Sequence, residues 1–246
     1  MVTLEICVED VAGARCAAEA GADRVELCSA LALGGLTPSA GALAGAVACG
    51  VPVVALLRPR AGDFVYGADE LDTLADDLRR ARDAGAAGVA LGCLTPDGAL
   101  DVAACARLVA LAAPLPVTFH RAFDHLRAPL AALETLVELG CARVLTSGQA
   151  ASAQAGAARL GELVRAARGR LEVIAAGGVR PGSVRAIVAA SGVRAVHLSA
   201  TVARASAQRF RNPEVRLAAG GAGGDELGVP VTDGALVRAM RAALEG

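Results

Sequence analysis

Two segments near the start of the chain, Leu4-Glu5-Ile6-Cys7 and Arg24-Val25-Glu26-Leu27-Cys28, set a glutamate two residues before a cysteine in runs that alternate polar with branched apolar residues. In an extended strand this spacing puts each Glu and its Cys on one face. Ionised carboxylates are not buried against an apolar layer without partners, so both pairs are expected to face a shared polar pocket. Thiols and carboxylates gathered in one pocket supply either metal ligands or acid–base groups.

The elements that must position them repeat along the chain. Apolar, β-branched runs predict eight strands: Leu4–Cys7, Arg24–Cys28, Val53–Arg58, Gly88–Leu91, Val117–His120, Arg143–Thr146, Glu172–Ala175 and Ala195–Ser199. Between them lie Ala-, Leu- and Arg-rich stretches such as Asp69–Ala84, Pro129–Leu139 and Gly156–Arg168, which are good helix formers. Gly21, Gly85, Gly140 and Gly192 recur where such a helix should end, in the position of a left-handed cap. Eight βα units to about residue 200 in a chain of 246 residues predict a TIM (β/α)8 barrel, an α/β fold read as a single domain over 1–246. A doubly wound sheet fits less well, because the turn after Cys7 is Val8-Glu9-Asp10-Val11 and carries no Gly-rich phosphate fingerprint. The pattern fails from about Thr201. Residues 201–246 read as a C-terminal extension with a Gly/Ala-rich loop at Ala218–Gly224 and a final helix at Asp233–Leu244, which would close the barrel or serve an oligomer contact.

On such a barrel the chemistry sits at the C-terminal strand ends. Those ends carry Glu5 with Cys7, Glu26 with Cys28, Arg58, His120 with Asp124 four residues on, Ser147, Gly177-Gly178, and His197 with Ser199. Each has a structural alternative: an ion pair with Arg58 for the two glutamates, a hydrogen-bonded core position for the histidines, and apolar filling for the thiols. Arg121, of opposite parity to His120, is expected to point outward. The turns at Ser147 and Gly177-Gly178, with His197 and Ser199, resemble the anion site that many barrels build after their last strands.

Composition excludes several partners. The formal charge is −1, with 24 basic residues against 25 acidic, so no polyanion is expected, and 2% aromatic residues with no Trp offer no base-stacking platform. Every basic residue is arginine. Lacking lysine, the chain has no Schiff-base or Walker chemistry, and neither a nucleotide nor a pyridoxal cofactor is expected. No basic leader precedes the first strand, and Gly50-Val51-Pro52 interrupts the uncharged stretch from Thr37 to Leu57. A cytoplasmic protein with no membrane contact is therefore expected. Seven scattered cysteines, an odd number, do not form a disulfide framework, and Cys16, Cys49, Cys105 and Cys141 read as filler.

Longer strings resemble one family. Leu4-Glu5-Ile6-Cys7, Gly21 through Cys28, Gly34-Gly35-Leu36-Thr37-Pro38-Ser39, Arg58-Pro59-Arg60 with Gly62-Asp63-Phe64, Pro116 through Asp124, Arg143 through Gly148 and Phe210-Arg211-Asn212 resemble the CutC copper homeostasis family. The resemblance runs from Met1 to about Asn212. It implies a TIM barrel, a cytoplasmic place, a homo-oligomer that is often a dimer, and copper(I) on Cys7 and Cys28. Copper(I) is soft and accepts low coordination, so two thiolates suffice and His120 or His197 offers a third ligand. One departure is Ala61, where the family commonly has Gly. An enzyme reading stands beside the copper one: Glu5, Glu26, His120 and Asp124 as acid–base groups, Arg58 clamping a carboxylate or phosphate, and the turns at Ser147 and Gly177 holding an anion. It accounts for more of the rim, but no motif names a reaction.

Overall fold

The computed structural model describes residues 1–212, 214–215 and 227–245. The Gly/Ala-rich stretch expected at Ala218–Gly224 lies outside the described residues. Eight strands, β1 (Thr3–Val8), β2 (Arg24–Leu27), β3 (Val53–Leu56), β4 (Gly88–Leu91), β5 (Val117–Phe119), β6 (Arg143–Thr146), β7 (Glu172–Ala175) and β8 (Ala195–Ser199), close in sequence order into a parallel barrel, β8 pairing with β1. The helices α1 (Val11–Glu19), α2 (Ala40–Val47), α3 (Ala68–Asp83), α4 (Val102–Ala112), α5 (Pro129–Glu138), α6 (Ala157–Ala167), α7 (Pro181–Ser191) and α8 (Gly234–Glu245) form the outer ring, α8 packing on both α7 and α1. The fold is a TIM barrel.

Period-two parity sorts the strand residues. Leu4, Ile6 and Val8 of β1, Val25 and Leu27 of β2, Val53 and Ala55 of β3 and their counterparts elsewhere point outward into one large apolar cluster shared with the helices. The inward positions hold two small apolar clusters, one around Cys7, Cys28, Val54, Leu56 and Ala90 and one around Leu145, Ile174, Ala176 and Ala195, with polar groups between and beneath them. Helix starts are locally encoded: the side chains of Asp10, Ser39 and Asp101 accept from Gly13, Ala42 and Ala104 N–H, and Pro129 and Pro181 open α5 and α7. All four glycines expected to cap helices have positive φ, from +73° at Gly192 to +94° at Gly21.

Sequence reasoning did not anticipate the antiparallel pair β9 (Thr201–Arg204) and β10 (Val229–Thr232). Every residue of β9 is exposed, so the pair leaves no apolar alternation to find. Among the described residues, no helix is long and apolar enough to cross a membrane.

A candidate metal and anion site at the barrel mouth

The register of β1 determines the centre of the barrel. Glu5 stands opposite Arg24 of β2 on one side and His197 of β8 on the other; one pair further up, Cys7 stands opposite Glu26 and Ser199. All of these groups except Arg24 and Ser199 are buried, Glu5 with 1% and Glu26 with 4% of its surface exposed. Glu5 pairs with Arg24 Nε through one oxygen, and Arg24 reaches Glu172 at 3.4 Å. Its other oxygen lies 2.7 Å from His197 Nδ1. The far ring nitrogen, Nε2, is 3.8 Å from Glu26, and the ligand-capable atoms of Cys7, Glu26 and His197 all lie within 4.8 Å of one another. Above them the Cys7 and Cys28 sulfurs are 3.5 Å apart, and all seven cysteines are free.

The electrostatics follow from burial and pairing. Burial opposes the charge on Glu5, but the hydrogen bond and charge of His197, reinforced by Arg24, hold its pKa down at about 2. Burial likewise opposes protonation of His197, and Glu26 and Glu5 outweigh it, so its pKa is raised. For Glu26 burial prevails and raises the pKa, with the help of Glu5 and against the pull of His197 and a hydrogen bond from Cys7. The Cys7 thiol is pushed well up, first by its hydrogen bond to Cys28, then by burial and by Glu26. A free thiolate is disfavoured here.

Glu26, Cys7, Cys28 and His197 open into a cavity of about 360 Å³ whose other walls include Arg58, His120, Gly177, Gly178 and Ser199. Arg58 does not pair with Glu5 or Glu26, the structural alternative weighed from sequence. Its terminal nitrogens donate to the carbonyls of Leu33, Gly35 and Gly62, its Nε has no partner, and its guanidinium lies 5.0 Å from the Phe64 ring centre. The Gly34-Gly35 turn builds that seat. Gly35 has φ +86°, and a Cβ there would come within 2.7 Å of Leu56 and into contact with Cys28. Ala61, the departure from the family string, avoids the left-handed region, which Gly62 occupies at φ +93°, so the alanine costs nothing.

His120 directly follows β5, and its Nδ1 accepts the Ala122 N–H at 3.3 Å. Burial, with Arg58 nearby, lowers its pKa to about 3, so the ring is neutral with its proton on Nε2, which has no partner. Asp124 stays out of the cavity. Its carboxylate takes Thr146 Oγ1, the N–H groups of Ser147 and Gln149, and Arg121 Nε at 2.8 Å, so it organises the loop after β6. The Ser147 hydroxyl donates to Ala150 O at 2.7 Å, behind Gly177. Arg121, expected to point outward, lines the cavity, because the 3-10 turn Arg121–His125 ends strand parity one residue past His120.

Two cavity groups and one half-buried partner were missed. Arg24 was legible: the alternation that turns Glu26 and Cys28 inward also turns Arg24 inward. Arg180 and Phe64 lie on loops, where no periodicity applies.

The CutC family profile matches residues 2–202. The chain belongs to the CutC family. The family protein CutC of Chromobacterium violaceum is 49% identical over 243 residues, covering 98% of each chain. The human copper homeostasis protein cutC homolog is 43% identical over 240 residues, 97% of this chain and 88% of that one. The crystal structure of CutC from Streptococcus agalactiae superposes with a TM-score of 0.77 at 32% identity, covering 80% of this chain and 98% of that one. The barrel that brings the two Glu-Cys pairs together is thus shared with a CutC relative.

Proposed function

We propose that this chain binds copper(I) as cargo, through Cys7 and Cys28 with His197 Nε2 as third donor, and serves copper tolerance or trafficking in the cytoplasm. The observation that carries the reading is the thiol pair: two reduced sulfurs 3.5 Å apart, buried at the floor of an open cavity. Thiolate and imidazole donors suit soft, low-coordinate copper(I). His197 is prepared for the role, since Glu5 holds Nδ1 and leaves Nε2 3.8 Å from Glu26 in the cluster with Cys7, the carboxylate–histidine support that orients ligating imidazoles. Arg24 in turn anchors Glu5.

Charge supports the same assignment. Two thiolates around one copper(I) carry a single net negative charge, and burial makes the neighbouring Glu26 harder to ionise. Because Cys7 resists ionisation, the incoming metal must displace its proton. The family resemblance adds a homo-oligomer, a dimer, to the proposal; sedimentation equilibrium reads it.

Competition for copper(I) against a chromogenic chelator tests the site. The Cys7→Ser, Cys28→Ser double variant is expected to lose to the chelator under conditions where the parent protein holds one equivalent. Equal retention by both proteins would remove the dithiolate assignment.

A further inference from the structure

Copper ligation uses only one wall of the cavity. Cys7, Cys28 and His197 come from β1, β8 and the end of β2, whereas the walls after β3, β5 and β7 take no part. At about 360 Å³ the cavity far exceeds a metal ion and falls in the size range of small-molecule sites. A metal carrier has no need of that space.

The unused walls offer donors without acceptors. His120 is 4% exposed, lines the cavity and presents a neutral Nε2–H that no protein group accepts. Arg58, 7% exposed on the adjoining wall, has an equally orphaned Nε–H. Buried donors are normally satisfied, and two left without partners on residues that line a cavity point to a ligand there. After β7 the chain turns through Gly177 and Gly178, with φ +91° and +67°; among the described residues, their N–H groups find no backbone acceptor. Successive open amides of this kind form an anion-binding concavity. The Gly177 side is enclosed: a Cβ there would meet Ser147 Cβ at 3.2 Å and the Arg121 guanidinium at 3.6 Å. Arg121, itself held by Asp124, and Arg180 bring positive charge to the same wall.

We propose that this half of the cavity binds a small phosphorylated metabolite. Its phosphate rests on the Gly177 and Gly178 amides between Arg121 and Arg180, and a carbonyl or hydroxyl oxygen of its body accepts from His120 Nε2. The site does not depend on copper. It gives the rim a role that metal ligation leaves unassigned.

The probe is 2-phosphoglycolate, with inorganic phosphate as the headgroup alone and glycolate as the body alone, titrated calorimetrically into the full-length copper-free protein. Binding is expected for 2-phosphoglycolate, weaker binding for phosphate, and none for glycolate. Arg180 is exposed and carries no core packing, so Arg180→Gln tests the headgroup contact in a folded protein and is expected to weaken 2-phosphoglycolate by about tenfold, the value of one charge-assisted hydrogen bond. His120→Asn keeps an acceptor for Ala122 N–H and is expected to abolish the advantage of 2-phosphoglycolate over phosphate while leaving phosphate binding intact. The Cys7→Ser, Cys28→Ser protein should bind the probe as the parent does, so this inference and the copper assignment fail separately. No saturable binding by the parent protein, unchanged affinity in Arg180→Gln, or loss of binding only in the cysteine variant would each overturn the proposal.

Discussion

Replacing His120 by Asn isolates one buried titration. The Asn oxygen takes the place of Nδ1 as acceptor for Ala122 N–H, and the titrating ring is removed. In the folded parent protein His120 stays neutral down to about pH 3, whereas an unfolded histidine protonates near its ordinary value of 6.5. Between those two values the unfolded state binds more protons, so His120 costs stability progressively as pH falls below 6.5 and costs nothing above it. At pH 5 the gap is 1.5 units, and at ~1.36 kcal/mol per unit the cost is about 2 kcal/mol. Glu5, Glu26 and His197 titrate in both proteins and cancel in the difference. Urea unfolding followed by circular dichroism from pH 8 to 4.5 should show a constant offset between parent and variant above pH 7, then a relative gain for the variant of about 2 kcal/mol by pH 5. Parallel curves across the range would mean that His120 protonates in the folded protein, and would refute the argument that its surroundings exclude the charged ring.

Three further outcomes follow from the same geometry. Glu5→Gln, which leaves the Cys pair intact but weakens the hold on His197 Nδ1, should lower copper(I) affinity by about ten- to a hundredfold in chelator competition. Copper(I) affinity should rise with pH through the neutral range, by up to about two log units per pH unit when both thiols release protons, and fall as acid restores the thiols; a pH-independent constant would show that the raised Cys7 thiol takes no part. Gly156→Ala sets a Cβ 1.9 Å from the Ser147 carbonyl oxygen, a backbone overlap that cannot be relieved by a rotamer change. It should cost at least about 1–3 kcal/mol in urea unfolding, and an unchanged midpoint would contradict the close approach of these two turns.

The barrel was legible because its signals are local and periodic. Alternation located all eight strands, and the recurring glycines marked the helix ends. The same parity put Glu5, Glu26, Cys7 and Cys28 in one space, where the structure also finds His197. Pairing was not legible, because it depends on register and loop shape. Glu5 meets Arg24 because those positions stand opposite each other across β1 and β2, while the more conspicuous Arg58 is captured by the carbonyls of the Gly34-Gly35 turn. Asp124 looked like an open acid at a strand end and is instead saturated by the loop after β6. The β9–β10 pair escaped because its exposed residues carry no pattern.

X-ray absorption at the copper edge, on protein loaded with one equivalent of copper(I), tests the central claim most directly. The account predicts a first shell of two sulfurs and one nitrogen, with the nitrogen lost in His197→Ala and the sulfurs lost in the Cys7→Ser, Cys28→Ser protein. A shell of oxygen and nitrogen alone, or one unchanged by either substitution, would contradict it.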